Sequence, residues 1–196
     1  MSTTAQKLPL SVAEPLAMKI QSALHDVCEK IAVVGSVRRR KDHVGDIELL
    51  CVPMHGEPKT DLFGEVVEPA PSLLDRRLEQ LKAGGRLKPG RCEGGKQKSY
   101  ELGAMPGVVV ELYVCDAQCW GVHEAIRTGP AEFAKKLVTP VQHEGLLPAG
   151  HQIQGGFRLF RHGEFVPTPT ESDFFQAIGL GGWIAPEHRD TPKASE

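Results

Sequence analysis

The chain has 196 residues, enough for one large domain or two small ones with a real hydrophobic core. Apolar residues make up 40% and charged residues 24%, ordinary globular usage that excludes a disordered or fibrous chain. The formal net charge of −2 argues against a uniformly basic nucleic-acid binder, and no apolar run approaches the roughly 18 residues of a membrane span. The first ten residues lack a basic segment followed by an apolar stretch, so no secretory signal is expected. The five cysteines, Cys28, Cys51, Cys92, Cys115 and Cys119, are odd in number and form no CxxC pair. They read as reduced thiols of a cytoplasmic protein rather than a disulfide framework or a zinc site.

In chain order, Ser11 and Glu14 have the spacing of a capping box, and Leu16, Ala17, Ile20, Leu24, Val27 and Cys28 follow at helical intervals. A helix is therefore expected to run to about Glu29. Ile31 to Val34 reads as a short buried strand ending in Gly35-Ser36, and Ile47 to Val52 as a second, stopped by Pro53. Residues 53–71 are rich in Pro, Gly and acids and read as an exposed insertion. Ser72 with Asp75 opens another helix, ended by Gly84-Gly85. Strands are expected at Tyr100–Leu102 and Val108–Val114, separated by a turn at Met105-Pro106-Gly107. Helices follow over Cys119–Ile126 and Ala131–Leu137, with Thr128-Gly129-Pro130 between them.

From about Pro140 the texture changes to Gly, Pro and His, which places a boundary between a body, 1–139, and a small tail, 140–196. In the tail, Phe157–Phe160 and Glu164–Val166 flank His162-Gly163 as a hairpin. Thr170 with Asp173 caps a short helix whose Phe174 and Phe175 read as core. The order of elements implies an α+β protein: a mixed sheet flanked by helices, then a small α/β subdomain.

Chemistry concentrates in Val34-Gly35-Ser36-Val37-Arg38-Arg39-Arg40 and Gly45-Asp46-Ile47-Glu48. A strand running into Gly-Ser bunches backbone N–H groups and a hydroxyl where an anion can be held, and a guanidinium fork suits phosphate oxygens. Asp46 and Glu48, two apart at a strand start, point to one face. Paired carboxylates repel unless a cation lies between them, and hard oxygen ligands suit Mg²⁺. Glu111, set in the apolar run Val108–Val114, offers a third acid. An anion cradle beside a divalent-cation site is what phosphoryl transfer on a nucleoside triphosphate requires. Eight basic residues lie between Arg76 and Lys98 against two acids, so a chain neutral on average can present one cationic face.

These segments, with Trp120-Gly121, Arg127-Thr128-Gly129-Pro130, Thr170-Glu171-Ser172-Asp173, Ile178-Gly179-Leu180 and Trp183-Ile184-Ala185-Pro186-Glu187-His188-Arg189, resemble the family X DNA polymerases. That is the polymerase-β-like branch of the nucleotidyltransferase superfamily, and the likeness covers most of residues 10–190 in order. It implies a nucleotidyltransferase palm whose small C-terminal subdomain closes over the nucleotide. Asp46, Glu48 and Glu111 would be the catalytic acids, binding two Mg²⁺ ions for which Mn²⁺ substitutes. Gly35, Ser36, Arg39, Gly45, Thr128 and Gly129 would bind the nucleotide. Lys96 and Lys98 would contact DNA, and the Gly129–Pro130 bond would be cis.

The implied activity is addition of dNTPs to a primer 3′-hydroxyl on gapped or primed DNA, by a cytoplasmic monomer of bacterial or viral type without an N-terminal lyase domain. Two departures stand out. Glutamate replaces the usual aspartate at the second and third acids, and Ile126-Arg127 stands where an aromatic pair precedes Thr-Gly. Two other readings stay open: nucleotidyl transfer to tRNA, protein or a small molecule, and a DNA-binding module that has lost catalysis.

Overall fold

The computed structural model describes residues 7–63, 65–68 and 70–189; the outer ends of both expected segments, 1–6 and 190–196, lie outside this range. The chain opens with β1 (Leu8–Pro9) and α1 (Leu10–Leu24). Pro9, not Ser11, is the N-cap of α1, and no side chain caps it, so the expected capping box does not form. The helix also stops short of Glu29. A 3₁₀ turn at His25–Val27 carries the chain into β2 (Cys28–Val33), where Cys28, the last residue of the helical pattern, is taken up by strand pairing. Periodicity cannot separate a buried helix end from a buried strand start, and the ladder to the neighbouring strand decides it.

After β2 come the single turn α2 (Gly35–Arg38), β3 (His43–Val44) and β4 (Ile47–Pro53). The exposed insertion contains a two-stranded ribbon, β5 (Lys59–Thr60) with β6 (Val66–Glu68). Helix α3 (Leu73–Ala83) starts as expected, with Ser72 Oγ accepting from the Asp75 backbone N–H at 3.1 Å. Strands β7 (Leu87–Glu93), β8 (Gln97–Leu102) and β9 (Val109–Val114) complete a five-stranded sheet in the order β2-β4-β9-β8-β7. Only the central β4–β9 pair is parallel.

Nothing in its own pattern marks β7 as a strand. It carries Pro89, Gly90 and charges, and most of its residues are exposed. An edge position tolerates Pro. Gly90 lies so close to β8 that a Cβ there would fall 2.4 Å from the Ser99 carbonyl oxygen.

Downstream lie α4 (Trp120–Thr128), α5 (Ala131–Val138), the antiparallel strands β10 (His151–Gln154), β11 (Arg158–Arg161) and β12 (Glu164–Val166), and α6 (Glu171–Ala177). The expected hairpin is β11–β12, while β10, in which one His and one Ile alternate with two Gln, was not expected. The capping box Thr170/Asp173 forms in full.

One hydrophobic cluster packs α1 and α3 on one face of the sheet through Leu24, Leu74, Leu78, Ile47, Leu49, Val110 and Leu112. A second joins α4 and α5 to the C-terminal elements through Val122, Ala125, Leu137, Leu159, Phe174 and Phe175, drawing on residues from both sides of Pro140. A third seats Trp120 of α4 on the opposite sheet face, against Leu50, Val52 and Tyr113. Alternation does the rest: with Ile47 and Leu49 facing α1 and α3, Glu48 must face the other way. The protein is thus a mixed α+β fold, and no helix among the described residues is long and apolar enough to cross a membrane.

Candidate active site

Glu48 and Glu111 are direct partners in the parallel β4–β9 ladder. Asp46 immediately precedes β4, two residues before Glu48. The three acids feel one another. Burial first, then the Asp46 and Glu111 charges, push the Glu48 carboxyl up to about 7, against a smaller pull from Tyr113 and Arg39. Asp46 is also raised, by burial and then Glu111, with Arg91 opposing. The Tyr113 hydroxyl donates to Glu111 Oε2 in a short bond and lies 3.3 Å from Glu48 Oε1. Gln97 Nε2 donates to the same Glu111 oxygen at 3.3 Å.

Among the described residues, no three His, Cys, Asp or Glu side chains are gathered tightly enough to hold a metal ion as placed. In kind, however, the donors fit one. They are hard carboxylate oxygens, partly buried, with a mutual repulsion that a divalent cation relieves.

The Gly-Ser segment lies against these acids. Gly35 has φ +65°, and a Cβ there would fall 1.7 Å from Glu48 Oε2, so glycine is demanded both by the backbone and by the carboxylate beside it. Ser36 Oγ is buried without a hydrogen-bond partner among the described residues. Arg39 donates to the Thr128 carbonyl at the end of α4 and draws the Glu48 carboxyl down. A Cβ on Gly129 (φ +68°) would lie 3.0 Å from the Arg39 guanidinium. The Gly129–Pro130 bond is cis. Arg39 therefore joins three of the expected elements: the Gly-Ser turn, the acids and Thr128-Gly129. Gly45 stands next to Asp46 with open space around its Cα.

Arg38, which the sequence also offered to phosphate, is occupied elsewhere. Its guanidinium donates to Thr128 Oγ1 at 2.6 Å and to both Glu171 oxygens at 3.1 and 3.0 Å, with Glu124 at 3.5 Å. It ties α2 to α4 and α6. Arg189 approaches Glu171 at 2.9 Å, and Trp183 Nε1 donates to it at 2.9 Å.

The two lysines part company. Lys98 is buried and paired with Asp75 at 2.9 Å, and it alternates with Gln97 so that it faces α3 rather than the acids. Lys96 is exposed and lines a cleft of about 540 Å³ beside Cys115, His123 and Gly156, at the far ends of β4 and β9 from the acids. Neither joins the acidic group. Much of the basic run is also paired: Arg77 with Asp26 at 2.7 Å, and Lys82 with Glu79 and Glu93 at 2.7 and 3.0 Å.

Sequence reasoning missed Tyr113, Gln97 and Arg91 as site residues. Tyr113 was reachable, since two-residue alternation from Glu111 puts it on the same face. Gln97 was not, because it meets Glu111 only through the β8–β9 register. Arg127 stacks 3.8 Å over the Tyr113 ring, bringing α4 onto the sheet. Against this geometry, comparison with known proteins adds nothing: no family model matches the chain, and no curated protein does.

Proposed function

We propose that this protein is a metal-dependent nucleotidyltransferase that adds dNTPs to a primer 3′-hydroxyl on gapped or primed DNA and releases pyrophosphate. The observation that carries the reading is the meeting of two chemistries on one sheet face. Glu48 on β4 and Glu111 on β9, with Asp46 just before β4, form an electrostatically coupled group of acids, and the Gly35–Arg39 turn, whose Ser36 hydroxyl has no partner among the described residues, packs against Glu48.

In this reading Asp46, Glu48 and Glu111 hold Mg²⁺ or Mn²⁺, which when bound neutralises developing phosphate charge and acidifies the attacking hydroxyl. Glu111 would help to deprotonate that hydroxyl. Ser36, Arg39 and the Gly35 and Gly45 backbone orient the triphosphate, and Thr128-Gly129 lies beneath the sugar.

Primer extension with each dNTP and Mg²⁺ or Mn²⁺ tests it. Asp46→Asn should abolish extension while DNA affinity persists. Extension by Asp46→Asn at the wild-type rate removes the metal assignment. One observation favours a second reading, transfer to an acceptor other than DNA: Arg77, Lys82 and Lys98 are spent on internal ion pairs, which thins the expected cationic face. Offering tRNA and protein acceptors beside primed DNA separates the two.

A further inference from the structure

Glutamate in place of aspartate lengthens the third acid by one methylene and adds a rotatable bond, so its carboxylate has more positions to choose from. In this protein the choice is restricted by two side chains. Tyr113 Oη and Gln97 Nε2 both donate to Oε2 of Glu111, and Oε1 accepts from no described residue. The Tyr113 ring that delivers the hydroxyl is itself held. It is 4% exposed, packed with Leu50, Val52 and Trp120 on one side of the sheet, and covered by the Arg127 guanidinium at 3.8 Å. The same hydroxyl reaches Glu48 Oε1 at 3.3 Å, so a single phenol spans the two glutamates.

We propose that Tyr113, assisted by Gln97, is a positioning residue that pins Glu111 by Oε2 and leaves Oε1 for a divalent cation. This rests on the metal-site reading above. A carboxylate anchored on one oxygen pays its orienting cost during folding rather than on ion capture, and neighbours that orient metal-binding groups typically change metal affinity by about 10–100-fold when removed. The phenol and the amide therefore offset the extra methylene that distinguishes Glu111 from a shorter acid.

The test is direct Mn²⁺ titration by calorimetry and by electron paramagnetic resonance, without nucleotide or DNA, on the full chain. Tyr113→Phe keeps the ring and its Arg127 stack and removes only the hydroxyl. Gln97→Met removes the amide. Each is checked by thermal melting. The expected result is a Mn²⁺ affinity about 10-fold weaker in Tyr113→Phe and a smaller loss in Gln97→Met, both with melting temperatures near that of the wild type. In primer extension, the Mg²⁺ concentration for half-maximal rate should rise in Tyr113→Phe while the rate at saturating Mg²⁺ recovers. Glu111→Gln is the control. If it binds Mn²⁺ as tightly as the wild type, or if the wild type binds none, the metal-site reading falls and the positioning role with it. If Glu111→Gln loses the ion but Tyr113→Phe binds it as well as or better than the wild type, the positioning role alone is overturned.

Discussion

Substituting Glu171 by Gln should destabilise the protein far more than its conservative shape suggests. Glu171 is 3% exposed, and its carboxylate answers Arg38 through two hydrogen bonds of 3.1 and 3.0 Å, Arg189 at 2.9 Å and Trp183 at 2.9 Å. Arg189 is itself only 6% exposed. An amide cannot balance two guanidiniums, so the substitution leaves buried positive charge unanswered, at a cost of about 3–5 kcal/mol. That is a large part of the roughly 5–15 kcal/mol by which a domain is stable. At about 2–4 °C per kcal/mol for a chain of this size, the melting temperature at pH 7 should fall by about 6–20 °C.

Acid provides a second readout. Burial by itself would raise the Glu171 carboxyl, but Arg189 and Arg38 outweigh it and hold the group below the ordinary glutamate value. A depressed folded-state value gives stability that is present in full above the unfolded value and is lost as pH falls through the folded one. The gap between wild type and Glu171→Gln should therefore narrow on acidification below the ordinary glutamate range. Urea unfolding followed by far-UV circular dichroism, from pH 7 downward, measures both. A variant within 1 kcal/mol of the wild type at pH 7, or a gap that is constant with pH, refutes the reasoning.

Gly35→Ala forces a Cβ into a left-handed backbone position 1.7 Å from Glu48 Oε2. Because the end of Glu48 can swing aside, the stability loss should stay near the conformational cost of about 1–2 kcal/mol. Primer extension should collapse, because that swing takes Glu48 from its place beside Gly35; extension at the wild-type rate contradicts this. Arg39→Ala should weaken nucleotide binding much more than DNA binding in parallel fluorescence titrations, since the lost contact is a charge-assisted bond to phosphate. Equal losses would move Arg39 from the nucleotide to the DNA.

What the sequence determined by itself is local. Ser72 with Asp75 and Thr170 with Asp173 started helices where their spacing said, because a cap is satisfied by the residue three positions on. The apolar strand Val109–Val114 and the turn around Pro106 were equally legible. The same local rule failed at Ser11, where pairing of Leu8 and Pro9 with the β3 strand sets the helix start two residues earlier than the hydroxyl could cap.

Tertiary structure decided whatever depends on partners distant in the chain. Edge strand β7 exists because β8 offers it a ladder, not because Leu87–Glu93 has a strand's pattern. The β4–β9 register sets Glu48 opposite Glu111, and the β8–β9 register adds Gln97; neither pairing leaves a trace in composition. Charge was the most misleading signal. Arg38 and Arg39 are indistinguishable neighbours in sequence and both reach Thr128, yet a one-residue step around a helical turn ties Arg38 to Glu171 on α6 and leaves Arg39 to act on Glu48. Lys98 went to Asp75 for the same reason: alternation along β8 turned it to the helix-covered face, where a buried ammonium must find a carboxylate or pay for its desolvation.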